Sequence, residues 1–405
     1  MSSRETVPLG ALLKPKNGYI RGPFGSALRR PEMKKVGIPV YEQQNAIYNN
    51  RIFRFYVDPS KQVELKRFTV EPGDLVISCS GTLGKITVIK NDDPIGIISQ
   101  ALLILRPDLS KVKSDFLYYF LTSPIGQYLL LGASHGSVQT NIAKREVVEN
   151  LQIPTLEIEE QEKIVKVLSD LDQKIELNRK MNKTLEEMGQ ALFKHYFIDN
   201  PEAKGWESKK LGQLVSLVNG ASYKSSELQS SENALVSLKS FKRGGGFRRD
   251  GFKEFTGKIK DDQIVVSGNL VVAHTDVTQL AEVAGVPALV SGVGKYNKVG
   301  ISMDVVKVVP TDETITTGFL YFLMRNRLFQ EHKMGYVSGT TVLHLNKRCI
   351  PDFEIRLPDQ NTLKKISSVF ENLTERMSSN DNQIDFLSDL RDSLLPRLMS
   401  GKISV

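Results

Sequence analysis

Residues 107–127, PDLSKVKSDFLYYFLTSPIGQ, return 203 positions later as residues 310–330, PTDETITTGFLYFLMRNRLFQ. Phe116-Leu117-Tyr118 lies over Phe319-Leu320-Tyr321, and Gln127 lies over Gln330. The match continues without a gap into GSVQTNIAKR (136–145) over GTTVLHLNKR (339–348), and Ile153-Pro154 matches Leu357-Pro358. Upstream, Leu9-Gly10 and Asn17-Gly18 match Leu211-Gly212 and Asn219-Gly220, and PGDLVIS (72–78) resembles SGNLVVA (267–273). So many matches near one offset identify a tandem duplication of half the chain. Residues 19–70 and 221–265 show no such match.

Each half reads as a globular part followed by a long helix. DLVISC, KITVI and ALLILRP have the pattern of buried strands, with NLVVAH and MDVVKVVP as counterparts. DFLYYFLTSPIGQYLLLG and GFLYFLMRNRLFQEHKMG have a helical period and a Gly stop. From Glu159 to Phe197 there is no Pro or turn cluster. Apolar residues recur there at heptad spacing: Ile164, Leu168, Leu171, Ile175, Leu185 and Leu192. The second half repeats the stripe at Ile366, Phe370, Leu373, Met377, Leu387 and Leu394. A helix of ~36 residues is roughly 54 Å long and must bury its stripe.

The expected fold is therefore α+β: a duplicated globular domain followed by a long helix, with the two helices packed as an antiparallel coiled coil about a pseudo-two-fold axis. The boundaries read as 1–152 for the first globular domain, 153–200 for the first helical spacer, 201–352 for the second globular domain and 353–405 for the second spacer. Asn178 and its mate Asn380 fall near the helix midpoints on the seam. There a polar residue costs stability but fixes register, and the two are expected to lie close together.

Charge separates the parts. Residues 1–150 carry 20 Lys and Arg against 13 Asp and Glu, and residues 201–352 carry 20 against 15. Residues 151–200 carry 7 against 10, and residues 353–405 carry 7 against 8. The order is basic, acidic, basic, near neutral, and two basic bodies fit a polyanion, most simply nucleic acid. The 40% apolar and 25% charged residues are ordinary for a globular chain. No run reaches the roughly 18 apolar residues of a membrane span, and MSSRETVPLG has no secretory core. Two cysteines cannot build a disulfide framework, and five scattered histidines show no metal spacing. A cytoplasmic location without membrane contact is expected.

Catalytic motifs do not emerge. SGTLGK (80–85) and SGVGKY (291–296) lack the earlier Gly and the Ser or Thr of a phosphate loop, and read as turns. Asn200-Pro201-Glu202-Ala203 does not qualify as the Asn-Pro-Pro-aromatic loop of an adenine methyltransferase. Asp92-Asp93 and Asp261-Asp262 sit beside turns, and Cys79 lies in an apolar strand. No catalytic residue and no metal ligand is assigned.

DNA contacts are sought in the unmatched regions. SLKSFKRGGGFRRDGFKEF (237–255) combines Lys239, Lys242, Arg243, Arg248, Arg249 and Lys253 with three glycines that let a loop approach a groove. Arginine can read guanine with two hydrogen bonds, and lysine can neutralise phosphate. RGPFGSALRRPEMKK (21–35) supplies Arg21, Arg29, Arg30, Lys34 and Lys35. The matched stretch offers Gln139, Asn141, Lys144 and Arg145 in one half and His344, Lys347 and Arg348 in the other. Being alike in both halves, it suits backbone contact better than base reading. The plainer alternative for each stretch is a solvated loop.

The run GSVQTNIAKREVVENLQIPTLEIEEQEKIVKVLSDLDQKIELNRKMNKTLEEMGQALFKHYF resembles the end of a target-recognition domain running into the helical region of type I restriction–modification specificity subunits. WESKKLGQLVSLVNG (206–220) resembles the start of a second recognition domain. The resemblance covers the whole chain, but Pro358 is followed by DQNTLKK without the Glu-Gln pair of the first half. It implies a non-catalytic subunit that reads double-stranded DNA. Each recognition domain would read one half of a bipartite site, and the helices would set the gap and bind two methyltransferase subunits. Restriction subunits would join them. S-adenosylmethionine, ATP and Mg would sit on those partners, with no cofactor in this chain. The rivals are a stand-alone DNA-binding or architectural protein, an enzyme with an unrecognised site, and a coiled-coil adaptor that does not touch DNA.

Overall fold

The computed structural model describes residues 5–24, 27–132, 144–278, 280–403 and 405. Among them, six helices of eight or more residues carry the architecture. They are α1 (Ser114–Thr122), α2 (Pro124–Gly132), α3 (Ile158–Phe197), α4 (Thr317–Arg325), α5 (Arg327–Met334) and α6 (Gln360–Met399). The chain forms two compact units, residues 1–173 with 387–405, and residues 174–386. Each long helix therefore contributes to both.

In the first unit, strands Tyr19–Arg21, Leu102–Leu105, Leu75–Ser78 and Ile86–Val88 form one antiparallel sheet in that order. A second sheet joins Ile38–Tyr41 to Tyr56–Val57 and, in parallel, to Ile97–Ile98. Strands Thr6–Pro8 and Gln152–Pro154 pair as a separate antiparallel ribbon. Phe116, Leu117 and Phe120 of α1 pack on Leu75, Ile77, Leu103 and Leu105. Ile164 and Leu168 from the start of α3 close that core, with Leu395, Leu398 and Met399 from the end of α6. Asp74 and Arg106 form a buried two-bonded pair, both bonds 2.8 Å, at the ends of the two central strands.

The second unit repeats this plan. Its four-stranded sheet runs Val215–Asn219, Val305–Pro310, Leu270–Ala273, Pro287–Leu289, the same order in equivalent strands. Asn233–Val236 pairs with Lys253–Glu254 and, in parallel, with Lys298–Ile301. Glu207–Lys210 pairs with Glu354–Leu357 as the closing ribbon. The duplication thus extends through the middles of both halves, where the sequences share nothing visible. Phe319, Leu320, Phe322 and Leu323 of α4 lie on the sheet, capped by Phe193 of α3 and by Leu363, Ile366 and Phe370 of α6. The rings of Phe193, Phe319 and Phe370 sit 5.9–6.1 Å apart.

Two expectations change. Each aromatic helix is a pair of helices. Ser123, held extended before Pro124, separates α1 from α2, because a residue preceding proline is driven out of the helical region. At the repeat position, Asn326 is extended and its side chain caps α5 by accepting from Leu328 N. The long-helix stripe is also shared. Its ends, Ile164, Leu168, Ile366 and Phe370, enter the globular cores instead of only facing the other helix.

Where the long helices meet, they run antiparallel. In the first unit Arg391 Nη1 donates to Asp172 at 2.7 Å. In the second, Asn178 Nδ2 donates to Gln383 (3.2 Å), Asn182 Nδ2 to Asp381 (2.8 Å) and Asn380 Nδ2 to Asn182 (2.8 Å). Asn178 and Asn380 are both 1% exposed. Each reaches a different residue of the opposite helix, and each keeps a buried Oδ1 with no partner. Ile175 is buried beside them, and Leu171, Leu185, Leu373, Met377 and Leu387 are half-buried.

Gly189 of α3 faces the fully buried Phe322, and a methyl there would overlap the ring. Alanine normally improves a helix interior by about 1 kcal/mol. Gly189→Ala is instead expected to destabilise by about 1–3 kcal/mol through overpacking. Gly205→Ala, whose methyl would have nothing within 4 Å, is expected to leave thermal unfolding unchanged.

Candidate nucleic-acid interface

The basic stretch of the second unit is a hairpin hung from Phe241 and Phe247, which are buried and bridge-paired. Lys242 N donates to Gly246 O at 2.9 Å and closes the tip. Gly244, Gly245 and Gly246 have φ of +75°, +120° and +96°, a run that side-chain-bearing residues rarely adopt. Lys239, Lys242, Arg243 and Arg248 line one groove of about 500 Å³. Its other wall is Thr275, Asp276, Val277 and Thr278.

That second wall is built from a loop the sequence reading passed over. Asp276 is buried and accepts from the backbone N–H of Thr278 (2.7 Å), Val283 (2.6 Å) and Ala284 (2.9 Å). Burial raises its pKa, but these bonds outweigh burial and hold it below the ordinary value. The carboxylate is spent on the loop, so the loop's negative charge is already satisfied. Beneath it, Lys333 of α5 donates to Ala281 O (3.0 Å) and Ala284 O (2.9 Å). Burial brings the Lys333 ammonium down to about 8, with Asp276 opposing. Val277 stays exposed on the loop. The Thr-Asp-Val-Thr string was the available signal, since an Asp bonding two residues ahead is a turn device.

The remaining candidates are placed elsewhere. Arg249 pairs with Asp385 of α6 at 2.7 Å. Lys253 donates to Tyr223 Oη at 2.9 Å and lies over its ring. His344 is exposed on strand Leu343–Leu345, opposite Thr275 of the groove wall. Lys347 and Arg348 are exposed, the latter 3.2 Å from Asp352.

In the first unit the candidates are scattered. Arg21 is partly buried and donates to Cys79 O at 3.3 Å. Arg29 and Arg30 are exposed at the turn Arg30–Glu32. Lys34 pairs with Asp58 at 2.6 Å, and Lys35 is exposed. Lys144 is exposed, and Arg145 pairs with Glu149 and lies over Tyr19. Gln139 and Asn141 lie outside the described residues.

The repeat glutamines explain how both units shape this region. Gln127 Nε2 donates to Gly84 O (3.0 Å) and Leu121 O (2.8 Å). Gln330 Nε2 donates to Gly285 O (3.4 Å) and Met324 O (2.6 Å). Each glutamine ties the loop that follows the central strand, 79–85 or 274–285, to the break in the helical pair. SGTLGK is therefore the first unit's counterpart of the groove wall. Gln43, across from Gly81, has a buried Nε2 with no partner.

Both cysteines are free and buried. Burial pushes the Cys79 thiol up to about 11 and the Cys349 thiol up to about 12, which keeps both protonated. Among the described residues no group of three or more His, Cys, Asp and Glu could hold a metal ion, and no helix is long and apolar enough to cross a membrane.

The structure is thus a duplicated α+β domain with two long helices, and the second unit carries a groove lined by basic side chains. Residues 26–187 and 203–386 each match the model of the type I restriction modification DNA specificity domain, and the chain belongs to that family. The type I restriction enzyme MjaIX specificity subunit of Methanocaldococcus jannaschii is 28% identical over 359 residues, covering 82% of this chain and 78% of that one. The MjaVIII specificity subunit of the same organism is 25% identical over 436 residues, covering 99% and 93%. The crystal structure of the type I restriction-modification system S subunit from M. genitalium superposes with a TM-score of 0.56 at 15% identity, covering 97% of this chain and 95% of that one. That likeness is one of fold.

The Lys333 shift predicts a pH effect. Between about pH 8 and 10.5 the unfolded chain still holds a proton that the folded chain has released, so stability from this group rises with pH there. Below pH 8 holding the charged form is a constant cost. Unfolding across that range should show the rise in the native chain, and the difference from Lys333→Met should track it.

Proposed function

We propose that this chain is the DNA-reading subunit of a type I restriction–modification complex, with each globular domain reading one half of a bipartite site. The observation that carries the reading is a domain present twice with one topology and different loops at the same place. Two unlike half-sites require such a pair. In the second domain those loops bring four basic side chains into one groove.

The long helices set the unspecified gap and carry two methyltransferase subunits, and restriction subunits join the complex. Leu177, Met188 and Phe386 are exposed apolar side chains on the long helices. S-adenosylmethionine binds to the methyltransferase subunits, and ATP and Mg bind to the restriction subunits. This chain performs no chemical step. It acts in the cytoplasm, where the DNA is.

Co-expression with the methyltransferase subunit of its own operon, followed by mapping of modified adenines, tests this. A split motif that disappears when this chain is omitted is expected. A soluble complex with an active methyltransferase but no split motif would leave a stand-alone DNA-binding protein as the better account.

Two variants refine the test. Lys242→Ala is expected to weaken DNA binding and to reduce the salt slope by about 1 if Lys242 neutralises one phosphate. Removing one turn from each long helix, about 5.4 Å, is expected to shorten the accepted gap and leave both half-sites unchanged. Altered half-site bases would contradict the spacer role.

A further inference from the structure

The basic groove of the second unit is tied to the long helices through partly buried charges. Arg325, the last residue of α4, donates from Nη1 to Gly244 O at 2.5 Å and from Nε to Glu186 Oε1 at 2.8 Å. Glu186 belongs to α3. Its other oxygen accepts from Tyr321 Oη, also of α4, at 2.5 Å. The Arg325 and Glu186 side chains are 19% and 17% exposed, so the pair is shielded from solvent screening. On the far side of the same loop, Arg249 holds Asp385 of α6 at 2.7 Å. The segment that lines the groove is thus fastened to α3 near its tip and to α6 at its base.

The tip needs such a tie. Three successive glycines at positive φ carry no side chains that could pack it down. Beyond the bonds inside the hairpin, two residues among those described hold it: Glu282, which accepts from Gly244 N at 2.9 Å and lies 3.9 Å from Arg243 Nε, and Arg325. The second is the one that leads directly to a long helix. A spacer determines a distance only when the reading loops cannot swing on it.

We propose that Arg325 and Glu186 are positioning residues that hold the basic groove in one orientation on the long helices, so that this tie, together with helix length, decides which gap is accepted. The inference rests on the reading that the chain recognises a bipartite DNA site. A purely structural pair would affect folding alone. A positioning pair affects the discrimination between gaps while the half-site bases stay the same.

The test uses the complete complex with its methyltransferase subunits. Methylation is measured on duplexes carrying the two half-sites at the native gap and at gaps one base pair longer and shorter. Glu186→Gln keeps the size of the side chain and removes the charge that Arg325 holds. Glu187→Gln, at the exposed neighbour, is the control. The native complex and Glu187→Gln are expected to modify the native gap alone. Glu186→Gln is expected to reduce the preference for the native gap by about tenfold or more, as loss of a charged hydrogen bond allows, with unchanged half-sites.

Tyr321→Phe removes one bond to Glu186, keeps the ring in the core, and is expected to move the same ratio less. Glu186→Gln that melts like the native chain and keeps the native gap ratio would overturn the proposal. If Glu186→Gln folds poorly, Tyr321→Phe decides by the same ratio. If the native complex itself shows no split site, the reading of function fails first, and that outcome is distinct from an unchanged ratio in the variants.

Discussion

Neither globular core closes without both long helices. The first needs Ile164 and Leu168 from the start of α3 and Leu395, Leu398 and Met399 from the end of α6. The second needs Phe193 from the end of α3 and Leu363, Ile366 and Phe370 from the start of α6. Burying each such side chain is worth about 1.5–3 kcal/mol. Those terms at the ends, far more than the seam between the helices, demand that the start of one helix lie beside the end of the other. Antiparallel packing follows from completing the cores.

The middle of the seam can then be polar. Asn178, Asn182, Asn380 and Gln383 bond across it, and the Oδ1 atoms of Asn178 and Asn380 stay buried without partners. An unpaired buried carbonyl costs about 1–3 kcal/mol, a sum the apolar ends can offset. Amides that bond only at one register exclude sliding by a turn, which an all-leucine seam would permit. The same helices present carboxylates to the aromatic helices in both units. Asp172 accepts from Tyr119 at 2.7 Å in one, and Glu186 accepts from Tyr321 in the other.

Much of this was legible because it repeats. Strong local patterns identified the central strands, the aromatic helices and the long helices, and the offset of 203 picked out Gln127 and Gln330 before either had a role. The break at Ser123 and Asn326 was hidden, since Pro124 can begin a helix as readily as end one. The shared sheet in residues 19–70 and 221–265 was invisible because topology needs only apolar alternation, which unrelated strings can supply. Arg325, Lys333 and Glu186 were unreadable for a different reason. Their partners lie 81, 52 and 139 residues away, and no local pattern announces a contact at that range. Of the basic residues read as one group, the fold sets Lys239, Lys242, Arg243 and Arg248 along the groove, with Arg248 paired to Asp250 there, and turns Arg249 to Asp385 and Lys253 to Tyr223. Sequence proximity cannot distinguish the two sets, because neighbouring side chains leave a tight turn in opposite directions.

The glutamine ties explain how such a domain can keep its shape while its reading surface changes. Gln127 and Gln330 grip backbone carbonyls at the ends of loops 79–85 and 274–285, so they place no demand on the side chains between. The first loop is the short turn SGTLGK, and the second is a longer excursion braced by Asp276 and Lys333. Both leave the sheet at the equivalent central strand, re-enter it at the next strand and are tied to the same break in the helical pair. A scaffold that fixes loop ends through backbone atoms tolerates different lengths and side chains between them. Two copies in one chain can then diverge at the groove without disturbing the cores that seat them on the long helices.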